Sequence, residues 1–154
     1  MMYMKATGSP ETILIAIGNT LRRDDGVAHR TLDLAGPLSG VSARHVIQLT
    51  PELALELAGA ARVIFLDADP AAPEPRLEPV TPAASTSPIG HAMSPADLLS
   101  LARHWYDFGG QAWLCHIPAF DFSAGDSLTP EGEAAARAAA ALILGAIATD
   151  TPPD

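Results

Sequence analysis

The sequence predicts an α/β fold in which a mostly parallel sheet is flanked by helices. Short runs rich in β-branched residues alternate with alanine- and leucine-rich stretches, which is the pattern of repeated βαβ units. The run at residues 63–66 is apolar throughout, as expected for a central strand that is covered on both faces. A length of 154 residues suits one domain. We therefore expect a single domain over residues 1–154, with residues 1–10 and 150–154 disordered.

Five strands are predicted from these runs, near residues 12–18, 43–48, 62–67, 76–81 and 111–117. Four helices are predicted between and after them, near residues 25–35, 51–59, 95–106 and 130–148. Residues 70–88 include six prolines, and proline lacks the backbone donor that a central strand needs. The strand near 76–81 is therefore expected at an edge of the sheet, and residues 82–90 should form a surface loop.

Three predicted helices begin with a hydroxyl residue followed by proline, namely Thr50-Pro51, Ser94-Pro95 and Thr129-Pro130. The hydroxyl can accept an unpaired backbone N–H of the first turn, and proline fits the first helical position because no donor is needed there. Ser94 also has Asp97 three residues later, which is close to a capping box. The residues that should then face the core at helical spacing are Leu98, Leu101, Ala102 and Trp105.

Composition excludes several classes of function. The net charge of -9 argues against a nucleic-acid backbone as partner, because such binding needs a basic surface. Cys115 is the single cysteine, so the chain has neither an internal disulfide nor a cysteine-rich zinc site. The longest apolar stretch, residues 138–148, is shorter than the ~20 residues of a membrane span, and no targeting segment is recognisable. We expect a cytoplasmic protein without a membrane partner.

Three polar residues follow predicted strands or precede a predicted helix in a way that favours a shared site. Asp25 comes after the first strand, Asp67 ends the third, and His91 precedes the third helix. In an open parallel sheet the loops at the carboxyl ends of the strands converge on one crevice. Two carboxylates and one imidazole there would form a three-ligand metal site with open coordination positions. The sequence therefore predicts a metal site at this edge.

Each of these residues also has a purely structural interpretation. Aspartate is a preferred N-cap, but one of Asp24 and Asp25 would satisfy a helix start, so a functional role remains open for the other. Asp67 could cap a loop, although its burial after an apolar strand is costly without a partner. Asp69 is expected to be the solvated neighbour. His91 taken alone could be a solvated loop histidine.

The other reactive residues are given structural interpretations. His45, His104 and His116 are expected on a strand surface, a helix face and a late strand, with His116 near enough to a strand end to lie behind the site. Cys115 lies in an apolar strand and is interpreted as a small buried hydrophobic residue. The signatures of dinucleotide-binding, P-loop, zincin and serine-hydrolase sites do not occur. A receiver domain would need a lysine at the end of its last strand, and Lys5 is the only lysine.

Taken together, these segments resemble the nickel-iron hydrogenase maturation proteases, the endopeptidases that trim the C-terminus of the hydrogenase large-subunit precursor. The resemblance runs in order from residue 13 to about residue 147. Its segments are Gly-Asn-x-Leu-x-x-Asp-Asp-Gly at 18–26, Val-Ile-Phe-Leu-Asp-Ala at 63–68, His91 with Ala-Asp-Leu-Leu at 96–99, Ile-Pro at 117–118 and Ser-Leu-Thr-Pro at 127–130.

The resemblance implies a three-layer α/β/α fold around a twisted five-stranded sheet. It also implies hydrolysis of one peptide bond near the precursor's C-terminus, after nickel has been inserted. The family's metal-binding positions fall on Asp25, Asp67 and His91, which would also be the catalytic residues. The nickel would be presented by the substrate, and zinc or cadmium could replace it. Many members have Asp-Gly-Gly-Thr after the second strand, where residues 47–53 read Ile-Gln-Leu-Thr-Pro-Glu-Leu, so the hydrogenase subgroup stays open.

Two other functions remain as alternatives. One is a self-sufficient metallohydrolase that carries its own ion and acts on a small substrate. The other is a non-catalytic chaperone that recognises the metallated precursor without cutting it. Retention of metal by the isolated protein would favour the first, and an unchanged precursor mass after incubation would favour the second.

Overall fold

A computed structural model describes residues 11–83 and 92–149. The predictions made for residues 1–10 and 150–154, and for most of the loop at 82–90, lie outside these residues. The elements in chain order are β1 (Thr12–Ile17), a 3-10 helical turn (Arg23–Gly26), α1 (Val27–Ala35), β2 (Val41–Val46), α2 (Leu53–Leu57), β3 (Arg62–Asp69), β4 (Arg76–Pro79), α3 (Pro95–Tyr106), β5 (Gln111–Pro118) and α4 (Pro130–Thr149).

The strands form one five-stranded sheet in the order β2-β1-β3-β5-β4. The pairings β1–β2, β1–β3 and β3–β5 are parallel, and β4 pairs antiparallel with β5 at the edge. The predicted α/β class, the mostly parallel five-stranded sheet and the edge position of the proline-rich strand are therefore confirmed. The second strand begins two residues earlier than the prediction, and a 3-10 turn precedes α1.

The strand order creates a crevice at one position along the carboxyl edge of the sheet. The chain proceeds from β1 to β2 on one side and then to β3 on the other side of β1, so the direction of winding reverses between β1 and β3. Ligands of open α/β sheets bind at such a reversal, outside the carboxyl ends of the strands. In the register of the sheet, Ile17 at the end of β1 pairs with Asp67, and Asp67 pairs with His116 of β5.

Two hydrophobic layers cover the sheet. One face packs against α2 and α3 through side chains that include Ile13, Ile15, Leu57, Phe65, Leu98 and Ala102. The other face packs against α1 and α4 through side chains that include Leu14, Val27, Leu66, Ala136 and Ile143. In the described part of the chain, one helix (α4) is long and apolar enough to cross a membrane by length and composition. Its buried side chains belong to the second layer, which is the packing of a core helix.

Two of the three predicted hydroxyl caps are present. The backbone N–H of Asp97 donates to Ser94 Oγ at 3.1 Å and that of Ser94 donates to Asp97 Oδ2 at 2.9 Å, which completes the capping box. The N–H of Gly132 donates to Thr129 Oγ1 at 2.9 Å. These two interactions fix the starts of α3 and α4.

Two predictions about helices were wrong. Thr50 does not cap α2, because α2 begins at Leu53 after a turn in which the N–H of Leu53 donates to the carbonyl of Thr50 at 3.1 Å. Leu98 and Ala102 are buried as predicted, but Trp105 is 67% exposed. Helical spacing gives the direction of a side chain but not what lies opposite it, and residues 103–107 at the end of α3 are exposed.

Candidate active site

Asp67 ends the buried part of β3 and is only half-buried itself. The pKa of Asp67 is raised from 3.8 to about 6, chiefly by burial and additionally by the negative charge of Asp25. The N–H of Ala68, which donates to Asp67 Oδ1 at 2.9 Å, and the nearby His116 act in the opposite direction. The influence of Asp25 on the pKa of Asp67 means that the two carboxylates lie within electrostatic reach of each other.

Asp25 lies in the 3-10 turn that follows β1, where a backbone N–H of the preceding loop binds its carboxylate. The backbone N–H of Asn19 donates to Asp25 Oδ2 at 2.8 Å. Gly18 has φ +149°, and a Cβ at this position would lie 1.9 Å from the carbonyl oxygen of Asp25. Only glycine permits so close an approach. The Gly-Asn pair of the opening motif therefore brings the loop against the backbone of Asp25.

Asp24 has a different role from its neighbour, because it is fully buried. Its carboxylate accepts hydrogen bonds from the N–H of Phe120 at 2.8 Å, from the N–H of Thr129 at 2.9 Å and from Thr129 Oγ1 at 2.8 Å. A Cβ on Gly132 would lie 2.3 Å from Asp24 Oδ1, so glycine is required in the first turn of α4. Asp24 thus stabilises the fold, and Asp25 is the more exposed residue of the pair.

The structure places two of the three predicted site residues at the same edge of the sheet. Asp25 follows β1 and Asp67 ends the buried part of the neighbouring β3, and the charge of Asp25 contributes to the raised pKa of Asp67. His91 lies outside the described residues. Over residues 11–83 and 92–149, no three His, Cys, Asp or Glu side chains are grouped so that they could hold a metal ion. The three-ligand site therefore stays a prediction. The pair itself is chemically suited to a cation, because two neighbouring carboxylates repel each other until a positive charge neutralises them.

A second polar group lies behind Asp67. His116 Nδ1 is 3.0 Å from Asp69 Oδ2, and His116 Nε2 is 2.7 Å from Glu78 Oε1. Asp69 is the more solvated of the two aspartates, as predicted, and it also accepts the N–H of Ala71 at 2.8 Å; this bond together with His116 lowers its pKa. Asp69 and His116 come together because β3 pairs with β5, and the pattern of one sequence segment does not reveal which strands pair.

A pair of histidines lies on the other side of Asp25. His29 of α1 is buried, and its Nδ1 is 2.9 Å from Nδ1 of His45 on β2. The surface position predicted for His45 is confirmed, but its bond to His29 was missed. The two rings border a cleft of about 450 Å³ whose lining also includes Asn19, Leu21, Asp33 and Ile47.

Large apolar side chains are exposed around this edge of the sheet. Leu21 follows β1 and is 66% exposed, Ile47 follows β2 and is 70% exposed, and Phe120 follows β5 and is 58% exposed. Exposed apolar groups beside a polar site are typical of surfaces that bind another chain. They lie on three different loops at the same edge as the Asp25–Asp67 pair.

Cys115 does not take part in this chemistry. It is fully buried within β5, and burial raises the pKa of its thiol to about 12. The prediction that it is a small buried hydrophobic residue is confirmed.

Comparison with solved structures finds the same fold over nearly the whole chain. The chain is similar to the hydrogenase maturating endopeptidase HybD from E. coli, with 21% identity, a TM-score of 0.73 and coverage of 91% of this chain and 93% of that one. The chain has the fold of the hydrogenase maturation proteases. It is also similar to the [NiFe] hydrogenase maturation protease HycI from Thermococcus kodakarensis, with 15% identity, a TM-score of 0.69 and coverage of 90% and 93%.

A hydrogenase 2 maturation peptidase from a Thaumarchaeota archaeon shares 25% identity with the chain, with a TM-score of 0.59 and coverage of 88% of this chain and 97% of that one. No protein-family model and no curated protein matches the chain. The fold expected from the resemblance to hydrogenase maturation proteases is therefore confirmed.

Proposed function

We propose that the chain is an endopeptidase that removes the C-terminal extension of a nickel-iron hydrogenase large-subunit precursor after nickel insertion. The observation that carries the proposal is the position of Asp25 and Asp67 at the carboxyl ends of the adjacent strands β1 and β3, where the charge of Asp25 contributes to the raised pKa of Asp67. The resemblance places metal-binding positions on these two residues and on His91. The named endopeptidases and peptidases that share the fold support the same activity.

The carboxylate pair suits an ion that is already held by another chain. Asp25 and Asp67 supply oxygen ligands, and His91 is the predicted third ligand. Three ligands form an incomplete coordination shell, which leaves positions for thiolates of the precursor. In this proposal the nickel belongs to the substrate and serves as its recognition element, and zinc or cadmium can substitute for it because oxygen and imidazole ligands do not discriminate strongly.

The cleavage chemistry assigned to the site depends on the metal that the precursor presents. Asp25, Asp67 and His91 would hold that metal beside the scissile bond. The metal would orient the scissile carbonyl or activate the attacking water. Leu21, Ile47 and Phe120 give the precursor's C-terminal segment an apolar surface beside the pair.

The test uses purified nickel-loaded precursor and mass spectrometry of the product. The wild-type chain should release one C-terminal peptide. Asp25→Asn, Asp67→Asn and His91→Ala should each slow cleavage by about 100-fold or more, because each removes a predicted ligand of a metal whose charge stabilisation is worth several kcal/mol. Asp107→Asn is the matched control, because Asp107 is exposed, caps the end of α3 with φ 54° and lies before β5, away from the crevice. Wild-type cleavage by Asp25→Asn or His91→Ala would contradict the assigned roles.

The same experiment separates the alternatives. A stable complex with a precursor of unchanged mass would favour the non-catalytic chaperone. Metal retained through purification, together with hydrolysis of a small substrate, would favour the self-sufficient metallohydrolase. We also propose that the chain acts in the cytoplasm without nucleic-acid or membrane partners, which the charge of -9 and the packing of α4 support.

A further inference from the structure

A row of hydrogen bonds connects two histidines with the carboxylate of Asp25. His29 Nδ1 lies 2.9 Å from His45 Nδ1, and the two ring planes are 19° apart with their centroids 5.1 Å apart. On its other side, His29 Nε2 lies 2.8 Å from the carbonyl oxygen of Gly18. Both ring nitrogens of this buried histidine are therefore engaged, one by another side chain and one by the loop that carries the opening motif.

The tautomers follow from the chemistry of the Gly18 carbonyl. A carbonyl oxygen only accepts, so His29 Nε2 carries a hydrogen and donates it. A neutral His29 then has its lone pair on Nδ1, and His45 donates its own Nδ1–H to that lone pair. The two hydrogen bonds thus run in one direction, from His45 through His29 to Gly18.

The peptide unit between Gly18 and Asn19 continues the row. Its carbonyl accepts from His29, and its N–H, which belongs to Asn19, donates to Asp25 Oδ2 at 2.8 Å. A peptide unit is planar and rigid, so the bond that holds the carbonyl also sets the direction of the N–H. Gly18 also lies so close to the backbone of Asp25 that a Cβ at this position would be 1.9 Å from the carbonyl oxygen of Asp25.

We propose that His29 and His45 are positioning residues for the carboxylate of Asp25. All three hydrogen bonds donate toward that carboxylate, and successive bonds of this kind polarise one another. They hold Asp25 Oδ2, so that Oδ1 is the oxygen presented to a cation. Partners behind a metal ligand typically contribute about 10–100-fold to metal affinity or activity. The functional part of this inference rests on the proposed function, because that function makes Asp25 a ligand.

The first test measures the hydrogen bonds themselves by NMR spectroscopy of the isolated full-length chain. In the wild type, His29 should show a hydrogen on Nε2, and the Asn19 amide proton should resonate downfield as a donor to a carboxylate. His29→Leu removes the donor to Gly18 and should move that amide resonance upfield. His29→Gln places an amide donor near the former Nε2 and should largely restore it. His104→Leu, on the exposed face of α3, is the control and should change nothing.

A folded His29→Leu variant with an unchanged Asn19 resonance would overturn the inference. If that variant does not fold, His45→Phe takes its place, because His45 is exposed and its loss breaks only the first bond. In His45→Phe the His29 tautomer should stay as it is, because the Gly18 carbonyl sets it, and an unchanged Asn19 amide resonance would equally overturn the inference.

The second test measures how these hydrogen bonds affect metal binding and precursor cleavage. Zn²⁺ affinity, measured by competition with a chromophoric chelator, and the rate of precursor cleavage should both fall about 10–100-fold in His29→Leu and recover in His29→Gln. Wild-type values for His29→Leu in both measurements would overturn the positioning role. A wild-type chain that gives the expected NMR result but never cleaves the precursor would instead contradict the proposed function alone.

Discussion

Asp67 should destabilise the folded chain at neutral pH, and its replacement by asparagine should remove that cost. Its pKa of about 6 in the folded chain compares with 3.8 for an ordinary aspartate, chiefly because of burial and additionally because of Asp25. At about 1.36 kcal/mol for each pH unit, ionised Asp67 costs the folded state about 3 kcal/mol. Because Asp67 is only half-buried, this figure is an upper value.

The sign of the pH dependence follows from the raised pKa. Below about pH 4 the carboxyl is protonated in both the folded and the unfolded chain, so it carries no penalty. As the pH rises through 6 the folded chain must ionise a group that the unfolded chain ionised earlier, and stability is lost. Asp67→Asn should therefore raise the free energy of unfolding by up to about 3 kcal/mol at pH 7.5, with most of the gain absent at pH 4.5.

Urea unfolding at several pH values, followed by circular dichroism in the presence of a chelator, measures this difference. Glu74→Gln removes an exposed carboxylate in the bend between β3 and β4 and is the matched control. In an Asp25→Asn background the gain from Asp67→Asn should be smaller, because one cause of the raised pKa has been removed. Ionised Asp67 carries no such cost if Asp67→Asn is no more stable than the wild type at pH 7.5, or if the gain in the free energy of unfolding is equal at pH 4.5 and pH 7.5.

Two further predictions concern the core. Gly132→Ala should lower the free energy of unfolding by about 1–3 kcal/mol, because its Cβ would overlap the carboxylate of Asp24. Gly145→Ala in the same helix has no neighbour within 4 Å and should raise it by about 0.5–1 kcal/mol. Urea unfolding of both variants tests the pair, and equal destabilisation would contradict it. Cys115 should not react with a chromogenic disulfide reagent until the chain is denatured, and prompt reaction of the native chain would contradict its burial.

The fold could be predicted from sequence because its signals are local. Alternating strand and helix patterns, the apolar run at 63–66, the prolines of the edge strand and the Ser94 cap each depend on residues that are close in sequence. The errors at Thr50 and Trp105 arose where a local pattern was extended to a tertiary question. A hydroxyl-proline pair indicates a turn as readily as a helix start, and a helical stripe does not show how far the neighbouring helix extends.

The site was only partly predictable for the same reason. Sequence indicated that one member of the pair Asp24 and Asp25 was surplus to helix capping, but not which one. Which aspartate is buried depends on donors from Phe120 and Thr129, which lie about a hundred residues further along the chain. The contact between His29 and His45 likewise depends on how α1 packs beside β2, and no spacing in the sequence encodes it.

The burial of Asp24 has a mechanical consequence for its neighbour. One carboxylate joins the loop after β1, the loop after β5 and the beginning of α4, so none of these segments can fluctuate open without breaking the bonds of the others. The low-stability openings that are common in surface loops are therefore suppressed here. Asp24 therefore joins three segments into one cooperative unit, and Asp25 carries its charge on the rigid turn that results.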